Sequence, residues 1–211
     1  MTRTHGERKR REILVAAMDV GSAEGLGGLS IGRLAEEIGM SKSGLFAHFG
    51  SKEELQLATI GFAAEDYERR VLAPAQDAEP GLARLRALLD AWVTYIDATG
   101  NRGGCFFDAA SSEFSSRPGP VRERLAQLSR GWLRRLEQEA RAAVRMGELA
   151  REVDPELLAF KLHAYVEEAN WARELFDDRR SFHKARCAID ETLRHATPPP
   201  EPPRPQRGDR S

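Results

Sequence analysis

Apolar residues recur at helical spacing along most of the chain, and no stretch alternates as a β-strand does. The pattern predicts a first helix from Glu7 to about Glu24 and two short helices between Ser30 and Phe49. A fourth helix is predicted from Lys52 to about Leu72, ending before Pro74. Five more are predicted downstream: after Pro80-Gly81, from Cys105 to about Phe114, after Pro118 and Pro120, from Asp154-Pro155 to about Phe176, and from Ser181 to His195. The fold class is therefore all-α, with about nine helices.

The segment from Ser30 to Lys52 carries the start and stop signals of two short helices. Serine is a preferred N-cap, and Ser30 and Ser41 each precede an apolar face at helical spacing. Gly39 and Gly50 stand where each short helix ends. Ser51 to Glu54 has the form of a capping box that opens the fourth helix. Two short helices joined by a tight turn predict a helix-turn-helix.

The second short helix has a composition suited to a DNA groove. Its first turn holds Lys42, Ser43 and Gly44, which are small or basic. A helix N-terminus also offers free amides and the positive end of the helix dipole, and both favour phosphate. His48 projects from the far end, and Lys52 at the start of the next helix is placed to meet a backbone phosphate.

This segment resembles the DNA-binding domain of TetR-type repressors, in which a Leu-Tyr-x-His-Phe run precedes a Ser- or Asn-Lys-Glu-x-Leu run. The corresponding runs here are Leu45 to Phe49 and Ser51 to Leu55. Phe46 replaces the frequent tyrosine, so a hydroxyl that could bond a phosphate is absent. Gly44 stands where a side chain often helps to read a base, so base reading is expected to fall on Lys42, Ser43 and Arg33. The full expected DNA-binding set is Ser30, Arg33, Ser41, Lys42, Ser43, Gly44, Phe46, His48 and Lys52.

The resemblance implies a homodimeric repressor on a palindromic operator, released by a small-molecule effector. The expected division is a helix-turn-helix domain at residues 1–52, a ligand-binding and dimerisation domain at 53–196, and a disordered proline-rich tail at 197–211. The fourth helix joins the two domains without a flexible linker. The last two helices have apolar faces for either a dimeric four-helix bundle or the subunit's own core: Leu158, Leu162, Tyr165, Val166 and Ala169, with Ala185, Ala188 and Ile189.

Aromatic and amphipathic residues of the middle helices are candidates for an effector pocket, and plain core packing remains the alternative. The candidates are Trp92, Tyr95, Cys105, Phe106, Phe107, Trp132, His163 and Trp171. Four carboxylates there can meet a cationic ligand or lie on a solvated face: Asp108, Glu113, Glu167 and Glu168.

Cys105 follows Gly103-Gly104 at a helix start, where the positive dipole end lowers a thiol pKa. A redox or electrophile sensor is therefore one alternative, and a buried structural cysteine is the other. A DNA-binding regulator with no inducer pocket is a further alternative. No spacing supports an enzyme in which Cys105 or Cys187 pairs with a histidine (His163, His183 or His195), so no enzyme is predicted.

Composition adds three limits. The 211 residues are 41% hydrophobic, enough for a buried core, and the net charge of -1 carries no global sign of nucleic-acid binding. Locally, Arg3 and the run Arg8 to Arg11 crowd the N-terminus and are expected to touch phosphate. No apolar run is long enough for a bilayer and no signal peptide is evident. Two distant cysteines without metal-ligand spacing predict a cytoplasmic protein with no metal or cofactor.

Overall fold

The computed structural model describes residues 2–98 and 103–199, and within these ranges it contains nine principal helices and no strand. The predicted all-α fold is confirmed. The helices are α1 Thr2–Glu24, α2 Ile31–Glu37, α3 Lys42–Phe49, α4 Lys52–Tyr67, α5 Leu82–Ala98, α6 Phe106–Phe114, α7 Pro120–Arg145, α8 Pro155–Phe176 and α9 Ser181–Ala196. The side chain of Arg3 and residues 200–211 of the predicted tail lie outside the described residues. The first helix begins at Thr2, earlier than the predicted Glu7.

The fourth helix continues beyond its predicted end. After Tyr67 it passes into a π-helical turn, Glu68–Leu72, and then into a short α-helical turn, Ala73–Ala75, that contains Pro74. The amide of Ala73 donates to the carbonyl of Glu68, five residues earlier. A proline ring in a regular α-helix meets the carbonyl four residues before it, and we attribute the tolerance of Pro74 to the wider preceding turn. The prediction that this helix ends before Pro74 is wrong.

One hydrophobic core holds the first three helices together, because their apolar stripes face each other. Leu34 of α2 and Leu45 and Phe49 of α3 are buried in it, against Ile13 of α1 and Leu55 of α4. The same core extends into α6 and α7 through Phe106, Ala110, Phe114, Val121 and Leu125. The N-terminal helices therefore share their core with helices that lie much later in the chain.

A second core lies among α5, α7, α8 and α9. Most of the residues that the sequence offered for a dimer face are buried here within the subunit: Leu158, Leu162, Val166, Ala169, Ala185 and Ile189. The apolar side chains that α8 leaves exposed are others: Leu157, Phe160, Trp171, Leu175 and Phe176. For most of the named residues, therefore, core packing is what the structure shows.

Candidate nucleic-acid interface and ligand cavity

Local signals in the sequence build the helix-turn-helix. The hydroxyl of Ser30 accepts a hydrogen bond from the amide of Arg33 at 3.1 Å, and the hydroxyl of Ser41 accepts one from the amide of Gly44, also at 3.1 Å. Gly39 adopts φ 64° in the turn between α2 and α3. Only glycine adopts this left-handed conformation without steric cost, which is why the turn can be so short.

The predicted capping box at the start of α4 forms only in part. Ser51 accepts from the amide of Glu54 at 3.0 Å, as a capping box requires. The amide of Ser51, however, donates to the carbonyl of Phe49 at 2.7 Å. The tight turn at Gly50, with φ 70°, brings that carbonyl within reach and takes the place of the carboxylate.

Three residues of α3 form an exposed face, defined by Lys42, Ser43 and Phe46. Phe46 is 54% exposed, although the opposite face of the helix is anchored by the buried Leu45 and Phe49. The side chain of Lys42 passes close to Gly32 of α2: a Cβ placed on Gly32 would lie only 3.1 Å from Lys42 Cε. The expected groove-facing residues therefore include three that are open to a partner in this structure.

Other residues of the expected DNA-binding set already have partners inside the protein. Arg33 donates to Glu24 at 2.9 Å, and its guanidinium lies 3.8 Å from Glu37. Its hydrogen bond to Glu24 raises the pKa of the Arg33 guanidinium above its usual value. Lys52 donates from Nζ to the carbonyl of Gly27 in the loop before α2. Contact of Arg33 with DNA would require exchange of these partners.

The expected roles of Gly44 and His48 also meet local constraints. The amide of Gly44 is taken by Ser41, and a Cβ on Gly44 would lie 3.0 Å from the Ser41 hydroxyl. His48 is half-buried, with its ring 6.2 Å from that of Phe49. The guanidinium of Arg10 also lies over the ring of Phe49, 4.8 Å from its centre. This contact ties the basic end of α1 to α3, so that both present positive charge together.

A cavity of about 480 Å³ lies among α4, α5, α6, α7 and α8. Of the eight expected ligand residues, the structure places Trp92, Cys105, Phe107, Trp132 and His163 in its wall. The other three lie elsewhere. Phe106 is buried in the N-terminal core, Tyr95 packs against Tyr67 outside the cavity wall, and Trp171 is 48% exposed on α8. Spacing along a helix does not distinguish these environments, since each residue sits at a regular apolar position.

Two buried polar atoms of the cavity wall lack hydrogen-bond partners within the described part of the chain: Nε1 of Trp132 and Nδ1 of His163. The ring of His163 stacks on Trp92, with centroids 5.2 Å apart and planes inclined by 9°. Burial lowers the pKa of His163, and the nearby Asp108 opposes that shift. The imidazole is therefore neutral at neutral pH. Unpartnered buried polar atoms are costly, and a bound ligand is one way to satisfy them.

Two of the three carboxyl groups in the cavity wall, those of Asp108 and Glu167, lie close together. Asp108 of α6 accepts from Nδ2 of Asn170 at 2.7 Å, and Glu167 of α8 lies within hydrogen-bonding reach of Asp108. Burial, reinforced by the charge and hydrogen bond of Asp108, raises the pKa of Glu167 to about 8. Two carboxylates so close cannot both be ionised cheaply. At neutral pH the pair therefore retains one proton.

Cys105 does not have the environment of a reactive thiol. It stands at the N-cap of α6, but its side chain is buried. Burial raises the pKa of the Cys105 thiol to about 12 and outweighs the hydrogen bonds from the backbone at Asp108 and Phe107. The helix N-terminus therefore lowers the pKa of the Cys105 thiol, as expected, but by less than burial raises it. This favours the buried structural cysteine. Cys187 contacts His183 at 3.7 Å on an exposed stretch of α9.

One structural link was not foreseen from the sequence. Helix α6 presents Phe107 and Asp108 to the cavity, while its Phe106 packs in the N-terminal core. At its far end Glu113 accepts a hydrogen bond from the amide of Gly27 at 2.8 Å, in the loop between α1 and α2. These residues are far apart in sequence, and no local pattern pairs them. The cavity and the helix-turn-helix are thus joined by α6 as well as by α4.

A helix-turn-helix with an exposed, basic-ended second helix, carried on a larger helical body with an internal cavity, is the architecture of a DNA-binding regulator. The family models agree with this class. Residues 13–59 match the model described as bacterial regulatory proteins, tetR family, and residues 81–189 match the tetracyclin repressor-like C-terminal domain. The chain belongs to the TetR family of transcriptional regulators.

Individual relatives are more distant. The HTH-type transcriptional activator FasR of Mycolicibacterium smegmatis is 29% identical over 91 residues, which span 43% of this chain and 42% of that protein. A TetR transcriptional regulator from Chloroflexus aurantiacus has a similar structure, with a TM-score of 0.82 at 23% identity, covering 90% of this chain and 96% of the other. The structure of AibR in complex with isovaleryl coenzyme A and operator DNA is similar, with a TM-score of 0.70 at 25% identity, covering 90% of this chain and 98% of the other.

Within residues 2–98 and 103–199, no helix has the length and apolarity needed to cross a membrane.

Proposed function

We propose that this regulator is a homodimeric repressor whose two α3 helices occupy successive major grooves of a palindromic operator. The observation that carries the proposal is the exposed face of Lys42, Ser43 and Phe46 on a helix whose other side is fixed in the core. Lysine supplies phosphate affinity, and a serine hydroxyl can bond to a base edge. Phe46 offers an apolar surface of the kind that contacts a thymine methyl group.

Dimerisation is supported by a stripe on α8. Leu157, Phe160, Trp171 and Leu175 are 48%, 64%, 48% and 61% exposed, and they are three, eleven and four residues apart, which places them on one side of the helix. Exposed apolar residues in such a row mark an interaction surface. Two copies of this stripe, packed across a two-fold axis, would fix the spacing of the two α3 helices.

A glutamate placed in the stripe tests the dimer. Phe160→Glu is expected to give monomers in sedimentation analysis, because a charge would be buried in the interface. Met146→Glu is the matched control, since Met146 is 54% exposed and lies at the end of α7, away from the stripe. A Phe160→Glu protein that stays dimeric would contradict this interface.

We propose further that an effector in the cavity releases the operator. AibR, which has this fold, is seen with a coenzyme A thioester and operator DNA together. Here the cavity is lined by Tyr67, Glu68 and Leu72, which belong to α4 and its π-helical turn, and by Phe107 and Asp108 of α6. A ligand that prefers one arrangement of these helices would shift the helix-turn-helix with them. The presence of the cavity favours this mechanism over a regulator with no inducer pocket.

The division of the chain at residues 1–52, 53–196 and 197–211 remains part of this proposal. Phe106 and Phe114 of α6 are buried in one core with residues of α1. We therefore infer that the first two parts stay in contact when either of them moves. Coupling by a packed helix needs no flexible linker. It requires only that α6 and α4 have two alternative positions.

DNA selected from a random pool, followed by fluorescence anisotropy of the enriched sequence, tests the proposed function. We expect an enriched inverted repeat that binds with a strong dependence on salt, because phosphate contacts release counterions. Absence of any enriched sequence at low salt would contradict operator binding. A reporter gene fused to the enriched site then gives the sign: higher expression without the protein supports repression, and lower expression would indicate an activator.

A further inference from the structure

The inner wall of the cavity combines four aromatic rings with two carboxyl groups, and we define it by these residues: Tyr67, Trp92, Phe107, Trp132, Asp108 and Glu167. Trp92 and Trp132 meet edge to face at 5.1 Å, and Tyr67 meets Trp132 at 5.5 Å and Phe107 at 5.9 Å. Ring faces carry partial negative charge and attract cations, most strongly for tryptophan. Four such rings from three different helices and the start of α6 surround one space, which is large enough for a ligand of modest size.

The two carboxyl groups have no cation beside them. Within the described ranges Asp108 and Glu167 take part in no ion pair. Asp108 accepts a hydrogen bond from the neutral amide of Asn170, and its other side-chain hydrogen-bond partner among these residues is Glu167 itself. A pair of adjacent carboxyls normally appears next to a cation or shares a proton. Here the proton on Glu167 occupies the place that a positive charge would take.

The remaining charged and titratable groups of the cavity leave this inner wall negative. His163 on α8 is neutral, and the Cys105 thiol is protonated. Glu68 of the π-helical turn adds a further carboxylate in the outer wall, where it is exposed. Apart from the arginines of α7, the described part of the cavity wall therefore carries carboxyl groups and no positive charge.

Positive charge enters the cavity wall only from α7 among the described residues. Arg124 donates to Gln127 at 2.7 Å, Arg134 is exposed, and Arg135 is half-buried. None of the three pairs with Asp108 or Glu167. Arg134 and Gln127 are exposed, so this part of the wall can meet an electron-rich end of a ligand from the solvent side.

We propose that the cavity binds an organic cation with an aromatic or apolar body, its positive nitrogen lying between the tryptophan rings and the carboxyls of Asp108 and Glu167. The inference rests on the proposed function only in calling this ligand the effector. A neutral hydrocarbon would leave the carboxyl pair unchanged, and an anion in the inner wall would face it directly. Binding of the cation favours ionised Glu167, so the carboxyl releases its proton to solvent: protonated Glu167 plus cation gives the ionised complex plus one proton.

Quenching of tryptophan fluorescence by benzyltrimethylammonium tests the site on the full-length protein without DNA. The matched uncharged probe is neopentylbenzene, in which carbon replaces nitrogen. We expect the cation to bind at least about tenfold more tightly than the uncharged probe, because a desolvated cation gains from both rings and carboxyls. Isothermal titration at pH 7 in phosphate and in Tris should show release approaching one proton. Isovaleryl coenzyme A serves as the anionic probe.

Glu167→Gln keeps the shape and hydrogen-bonding capacity of the protonated side chain and removes its charge. We expect it to weaken benzyltrimethylammonium binding about tenfold or more and to abolish proton release. Glu168→Gln is the control, because Glu168 is the adjacent exposed carboxylate outside the cavity wall. Thermal melting curves of both variants check the fold.

Three results would overturn the inference: equal or tighter binding of neopentylbenzene, tighter binding of isovaleryl coenzyme A, or unchanged cation binding by Glu167→Gln. The same cation is then added to the protein bound to its selected DNA. Cation binding without loss of DNA affinity would leave the site intact and contradict only its role as effector site.

Discussion

Replacing Glu113 with alanine removes the acceptor that joins α6 to the loop before the helix-turn-helix. The carboxylate accepts from the amide of Gly27 at 2.8 Å and pairs with Arg117 at 3.0 Å, and its side chain is 20% exposed. Hydrogen bonds to charged groups contribute about 1.5–3 kcal/mol when buried. Partial exposure places the expected loss near the lower value, about 1.5 kcal/mol.

Hydrogen exchange at the Gly27 amide measures this loss locally. A cost of about 1.4 kcal/mol corresponds to a tenfold change in an equilibrium constant, so the amide of Gly27 in Glu113→Ala should exchange roughly tenfold faster. Urea unfolding should show a loss of similar size in the free energy of unfolding. Arg117→Ala is the control, because it keeps the bond to Gly27. It removes the partly exposed ion pair, which should cost about 0–1 kcal/mol, and the contact of the guanidinium with the Phe114 ring, which should add about 0.5–1 kcal/mol.

The reasoning fails if Gly27 exchanges equally fast in Glu113→Ala and in the unchanged protein. It also fails if Arg117→Ala has the larger effect, because the ion pair and not the bond to Gly27 would then hold α6 in place. Once an effector is identified, Glu113→Ala should reduce the factor by which it weakens DNA binding. That outcome would place α6 on the route between cavity and operator.

Three further predictions concern DNA binding, thiols and pH. Lys42→Ala should reduce the slope of log affinity against log salt by about 0.9 for each phosphate that Lys42 neutralises, whereas Lys184→Ala, on α9, should leave the slope unchanged in the anisotropy assay. Iodoacetamide followed by mass spectrometry should label the exposed Cys187 and spare Cys105, whose buried thiol has a pKa of about 12; early labelling of Cys105 would contradict its burial. The pKa of Glu167 is raised to about 8 in the folded protein, so its stabilising contribution is complete below the pKa of this carboxyl in the unfolded chain and is lost as pH rises toward 8. Glu167→Gln should therefore flatten the decline in melting temperature over that pH range. An unchanged decline would count against the raised pKa.

The helix-turn-helix could be predicted from sequence because its signals are local. Ser30 and Ser41 cap helices through bonds to amides three residues away, and Gly39 sets the turn by its own backbone conformation. Apolar spacing likewise predicted the nine helices. Each of these features depends on a few neighbouring residues, so one sequence is enough to read them.

Features that depend on tertiary contacts could not be read in this way. The bond between Glu113 and Gly27 spans 86 residues, and no periodicity indicates it. Trp92 and Trp171 both sit at apolar helical positions, yet one lines the cavity and the other lies on the surface. Burial around Cys105 reverses a pKa shift that local geometry alone predicts.

The continuation of α4 is an intermediate case. Pro74 is a strong local signal to end a helix, and the π-helical turn at Glu68–Leu72 overrides it. The same turn lines the cavity with Glu68 and Leu72. Wide helical turns are frequent at functional sites, and this one lies in the wall of the proposed effector cavity.

Hydroxyl-radical footprinting of the selected DNA tests the central claim most directly, since it maps where the α3 helices lie. A homodimer reading two half-sites predicts two protected segments on one face of the duplex, centred about one or a small multiple of 34–36 Å apart, and both should weaken together in Lys42→Ala. A single protected segment, or a two-part footprint that Lys42→Ala leaves at full strength, would contradict it.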